Sequence, residues 1–148
     1  MAIQVMQYGN CVEDAIMVNA LALMGVKAKG KVEEQLRQGL PYQTVETVME
    51  NTGITAKMLA LTLDISMRTL MNHKKTGTLS PTESDKIYRF SRIFALAMEM
   101  VGGKDDACEW MNEEAPELGG VTPMSLMDTD YGAERVEALI ENTMAGIP

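Results

Sequence analysis

Few side chains in this sequence suit chemistry on a bound substrate. There is one histidine, His73, and there are two cysteines, Cys11 and Cys108. That set has no zinc, iron or copper spacing, because a protein metal site needs three or four ligands brought together. A Ser-His-Asp or Cys-His nucleophile would have to use His73, which sits beside Asn72, Lys74 and Lys75 on what reads as an exposed short helix. Glu113 and Glu114 are adjacent on a loop, the ordinary form of a solvated acidic patch. Gly102-Gly103 and Gly119-Gly120 read as helix stops and loop turns rather than phosphate cradles. No enzyme, no metal site and no cofactor is expected.

The stretch from Thr55 to Gly77, TAKMLALTLDISMRTLMNHKKTG, suits a different chemistry. Two short helices, with Ala60 at their close contact and Ile65 in the joint, have the arrangement of a helix-turn-helix. A helix of this kind fits the major groove, where amide and guanidinium groups pair with base edges and cations neutralise phosphate. The residues expected to meet DNA are Lys57, Ser66, Arg68, Thr69, Asn72, His73, Lys74 and Lys75. The spacing also suits a plain helical hairpin with a solvated polar face.

The elements that must hold this segment are helical throughout. Residues 12–24 are apolar nearly all round and end at Gly25, as a buried or dimer-facing helix would, and Lys27–Lys31 reads as a basic linker. A short helix from Lys31 to Gln38 ends at Gly39, and the next starts near Pro41 and runs to Asn51. Thr55 caps Ala56–Leu63, Asp64-Ile65 turns, and Ser66 caps Met67–Lys75, which stops at Gly77. Ser80, Pro81 and Glu83 form a capping box that opens a long helix to Val101, with Ile87, Phe90, Ile93, Phe94, Leu96, Ala97 and Met100 inward. Then come a helix from Asp105 to Met111, a loop, a turn or two at Pro123–Met127, and a last helix from Thr129 to about Thr143. No β alternation is flanked by turns. The expected fold is all-α: a helix-turn-helix bundle followed by a small helical domain, divided as 1–53, 54–78 and 79–148.

The 148 residues are 46% apolar with charge interspersed, as in a globular chain, and 14 methionines suit adaptable contact surfaces. The net charge of −8 is unevenly spread. Lys27 to Arg92 carries eleven Lys or Arg against seven Asp or Glu, whereas Ile93 to Pro148 carries two against twelve. A basic segment followed by an acidic one implies two surfaces with two kinds of partner. No apolar run approaches the roughly 18 residues of a membrane span, and no leader pattern opens the chain. A cytoplasmic protein with reduced cysteines and no membrane partner is expected.

Residues 55–77 resemble the Xre-type helix-turn-helix. The stretch GTLSPTESDKIYRFSRIFALAMEMVGG (77–103), followed by ACEWMNEEAPELGGVTPMSLMDTDYGAERVEALI (107–140), resembles the carboxyl-terminal toxin-binding domain of the Xre/MbcA/ParS antitoxins. The pattern is a helix opened by L-S-P-x-E-S-D (Leu79–Asp85), a helix around Trp110, P-x-L-G-G-x-T-P (Pro116–Pro123), and a helix entered through D-T-x-x-G (Asp128–Gly132). Scaffold roles suit these residues, among them a close backbone approach at Leu118-Gly119-Gly120. One departure is Asp64, where such turns commonly carry glycine; it adds strain, and a negative charge near the DNA side.

The resemblance implies a toxin partner with a RES domain, similar to ADP-ribosyltransferases and consuming NAD. The chain would block its NAD pocket and, in complex, repress its own promoter. NAD is anionic, so its pocket offers cations, to which an acidic domain is complementary. The chain end, Asn142, Thr143, Met144, Ala145, Gly146, Ile147 and Pro148, is small and partly apolar and could enter that cleft. A homodimer is expected, through residues 12–24 and the outer face of the helix 80–101. A stand-alone transcription regulator without a toxin partner is the alternative.

Overall fold

The computed structural model describes residues 15–27 and 32–146. Its elements are helical: α1 (residues 15–24 as described), α2 (Val32–Gln38), α3 (Gln43–Thr52), α4 (Ala56–Leu63), α5 (Met67–Thr76), α6 (Pro81–Val101), α7 (Lys104–Met111) and α8 (Asp130–Met144). Two 3-10 turns, Pro116–Leu118 and Met124–Leu126, lie between α7 and α8. Among the described residues there is no strand, only two isolated bridges, Pro41 to Thr78 and Ala115 to Val121.

Local chemistry sets the helix boundaries. The Ser80 hydroxyl accepts from the Glu83 amide (3.1 Å) while the Glu83 carboxylate accepts from the Ser80 amide (2.8 Å), so the capping box closes with Pro81 in the first turn. The 21 residues of α6 then run unbroken to Gly102, whose left-handed backbone ends the helix. This helix is the spine of the molecule. Its Ile87, Phe90, Ile93, Phe94 and Ala97 are buried in the core, and the helix packs against α2, α3, α4, α7 and α8. The outer face foreseen for dimer contact is therefore largely covered within the chain.

Two short loops clamp the start of α6 to the first helices. The Leu79 amide donates to the Leu40 carbonyl and the Tyr42 amide to the Gly77 carbonyl, each at 2.9 Å. The Ser84 hydroxyl accepts from the Leu40 amide inside the core (2.8 Å). At Gly39 (φ +93°) a side chain would collide with the Leu79 carbonyl, so this crossing admits only glycine.

α1 has one buried face, Ala20, Leu21 and Met24, while Val18 and Ala22 are exposed; it is amphipathic rather than buried all round. The Asn51 amide group donates to the Leu23 carbonyl (3.0 Å) and ties α1 to α3. Residues 12–14, most of the basic linker (28–31) and Cys11 lie outside the described residues.

Candidate functional site

The helix-turn-helix forms as its residues dictate. Thr55 accepts from the Met58 amide to open α4, and Ser66 accepts from the Thr69 amide (3.1 Å) to open α5. Between them Asp64 takes a left-handed backbone (φ 57°, ψ 45°), the one non-glycine at positive φ among the described residues. Leu59, Ala60, Leu63 and Leu70 are buried, which fixes the hairpin.

Lys57, Ser66, Arg68, Asn72, Lys74 and Lys75 are exposed, Thr69 is half-buried, and α5 contains no acid. Ser66 and Thr69 also share a hydroxyl contact at 3.0 Å, so both belong to the cap as well as to the exposed end. His73 departs from expectation. Its Nε2 lies 2.9 Å from Glu83 Oε2, and its side chain is only 21% exposed. Burial raises the Glu83 carboxyl, but hydrogen bonds from Ser80 and His73 outweigh it and hold the group below the usual carboxylate range. An ionised Glu83 accepts, so His73 donates from Nε2. This edge of the ring fastens α5 to α6 and is turned away from the solvent face.

The other cations near the hairpin are also engaged. Arg92 forms a two-pronged contact with Glu137 of α8 (2.6 and 2.7 Å), and Arg89 donates to the Met127 carbonyl (2.8 Å) and pairs with Asp130. The Arg92 hydrogen bond holds the Glu137 carboxyl down against the raising effect of burial. Lys86 reaches the Leu63 carbonyl (3.4 Å). The cations of the basic segment thus divide by role: those on α6 hold the fold, and those on α4 and α5 face solvent.

Beyond α6, the Ala115 amide donates to the Val121 carbonyl and the Gly120 amide to the Ala115 carbonyl, each at 3.0 Å. Gly119 and Gly120 have φ +86° and +82°, with open space where a Cβ would stand. They serve the turn by their backbone sign, and the close approach expected there occurs instead at Gly132. This buried glycine lies against the Leu126 carbonyl and donates its amide to the Thr129 hydroxyl (3.0 Å). Trp110 is half-buried against the core, with Leu118 and Met124 buried. Val121 and Tyr131 stand exposed, Tyr131 by 73%.

The last helix ends close to where the sequence places its end. α8 continues through Asn142 and Thr143 to Met144, with the Thr143 hydroxyl donating to the Leu139 carbonyl (2.7 Å). Ala145 closes it and Gly146 (φ +74°) bends away; all residues from Glu141 to Gly146 are exposed. Ile147 and Pro148 lie outside the described residues.

Residues 31–92 match the antitoxin Xre-like helix-turn-helix domain, and residues 96–146 match the antitoxin Xre/MbcA/ParS C-terminal toxin-binding domain. The chain is 32% identical over 114 residues to an antitoxin Xre of Photorhabdus laumondii, covering 76% of this chain and 77% of that one. It belongs to the Xre antitoxin family. An antitoxin Xre of Yersinia enterocolitica is 28% identical over 77% of this chain and 78% of its own. One of Pseudomonas putida is 30% identical over 51% and 48%.

This antitoxin therefore carries a helix-turn-helix domain and a toxin-binding domain, which implies a toxin partner. The first match includes α2 and α3, which precede the residues that carry the resemblance, and one match ends and the other begins within α6. Among the described residues no cluster of His, Cys, Asp or Glu could hold a metal, and no helix is long and apolar enough to cross a membrane.

Proposed function

We propose that this antitoxin neutralises a RES-type, NAD-consuming toxin by covering its active site, and that it represses its own promoter through α4 and α5. The observation that carries the reading is the segregation of exposed charge. From Ile93 to Gly146, eleven of twelve acidic side chains are exposed, while the free cations Lys57, Arg68, Lys74 and Lys75 cluster on the hairpin. A pocket that binds anionic NAD is cationic and attracts the first surface; phosphate attracts the second.

The chain end supports the plug role. It projects from α8 as an exposed turn of helix with Met144 47% exposed, ahead of a glycine bend. Tyr131, exposed on the first turn of α8, is of a residue type that protein interfaces favour as an anchor. The DNA-binding species is a homodimer that presents two hairpins to a twofold site. A groove of about 540 Å³ between α1 and the end of α6, with Leu23, Ala95 and Met98 among its lining residues, supports contact through that side.

The two activities are separable by mutation. In cells carrying the adjacent toxin gene and a promoter reporter, Arg68→Ala with Asn72→Ala is expected to lose repression and keep neutralisation. Removal of residues 143–148 is expected to do the reverse. A double mutant that represses normally refutes the DNA assignment, and a truncated chain that protects fully moves the toxin contact to Trp110, residues 118–123 and residues 131–140.

A further inference from the structure

The exposed face of α5 contains an apolar side chain that polar recognition does not explain. Leu70 is fully buried and His73 is turned onto Glu83, so the opposite side of the helix faces outward. That side is made by Arg68, Met71, Asn72 and Lys75, which lie three, four and seven residues apart and share one face. Met71 is 46% exposed in the middle of this face, and Met67, one turn earlier, is 42% exposed.

A methionine placed between an arginine and a lysine suits a surface that is anionic but offers one apolar group. A cationic toxin pocket would be repelled by Arg68, Lys74 and Lys75, on a helix without a single acid. The major groove of DNA offers the required combination: phosphates along its walls and, on its floor, one apolar group, the 5-methyl of thymine. A long, flexible thioether can follow that methyl without strict geometry.

We infer that Met71 is a specificity-determining residue that packs on the 5-methyl group of a thymine in each operator half-site, between the phosphate and base contacts of Arg68 and Lys75. This rests on the DNA-binding reading of the hairpin and adds to it a base preference that no hydrogen bond supplies.

The test uses full-length protein and a synthetic duplex from the DNA upstream of its own gene, with thymines replaced one at a time by uracil, which lacks only the methyl. Wild type is expected to lose about fourfold in affinity at one position per half-site, the effect of about one buried methyl-sized group. Met71→Ala is expected to bind the thymine duplex about fourfold more weakly and to be indifferent to uracil there, while Met71→Leu keeps the sensitivity. Intact binding that ignores every uracil overturns the inference alone, as does a Met71→Ala protein with undiminished sensitivity. Absence of any salt-dependent binding to upstream DNA overturns the DNA-binding reading, and the inference with it.

Discussion

At Gly132 one added methyl group should do damage through packing alone, without the left-handed backbone that also reserves Gly39 for glycine. Gly132 sits in the first turn of α8, buried, with its amide on the Thr129 hydroxyl. A Cβ there would stand far inside 3.0 Å of the Leu126 carbonyl oxygen, and 3.0 Å from both the Leu126 carbonyl carbon and the Thr129 hydroxyl oxygen. The obstacle is backbone, so no rotamer change relieves it; the 3-10 turn Met124–Leu126 or α8 itself must shift. Overpacking of this kind costs about 3 kcal/mol at the upper end of its usual range. Replacing glycine in a helix returns up to about 1 kcal/mol. The net loss of about 2 kcal/mol corresponds to a Tm lower by roughly 4–8 °C for a chain of this size. Thermal melts of Gly132→Ala followed by far-UV circular dichroism measure it. Gly119→Ala provides the contrast: no clash, only a left-handed backbone, and a loss of about 1 kcal/mol, the lower end of the cost of that conformation. A Gly132→Ala protein that melts at or above the wild-type temperature would refute the packing argument.

Other outcomes follow from the remaining contacts. Asp64→Val should cost about 1–2 kcal/mol because a β-branched residue resists φ 57°, while Asp64→Gly should melt close to wild type and bind promoter DNA more tightly for lack of the negative charge. Glu137→Gln should destabilise by about 1.5 kcal/mol, since it breaks the charged fork to Arg92 while both side chains stay partly solvated. Glu83 and Glu137 have folded-state pKa values below those of the unfolded chain, so their stabilisation is full above about pH 4.3 and is lost as pH falls through the lowered values. Acid titration of stability should therefore fall less steeply in Glu137→Gln than in wild type. Removing Lys74 or Lys75 should shallow the salt dependence of DNA binding by roughly one unit each, as read from affinity against salt concentration.

The sequence was most legible where the signal is local. The Ser80 capping box, the Thr55 and Ser66 caps and the Gly77 and Gly102 stops each depend on a few neighbouring residues, and the helices begin and end where those residues require. The roles settled by distant partners were not legible. Nothing near His73 announces Glu83, which lies ten residues away across a turn. The arginines of α6 looked like part of a basic surface until Glu137 and Asp130, more than 40 residues on, took them up. The glycine that permits a close approach proved to be Gly132 rather than Gly119 or Gly120, because only the packing of α8 on the preceding turn distinguishes them. α8 ends at Met144, within one residue of the end expected from the sequence, with Gly146 just beyond it.

Whether an acidic domain and its chain end block an NAD-consuming active site is decided by NAD consumption. The purified toxin encoded beside this gene is incubated with NAD, alone, with the full-length antitoxin, and with the antitoxin lacking residues 143–148. Consumption is expected with the toxin alone, none with an equimolar full-length chain, and restored consumption with the truncated one. A toxin that leaves NAD intact, or a truncated antitoxin that inhibits as fully as the complete chain, would contradict this reading.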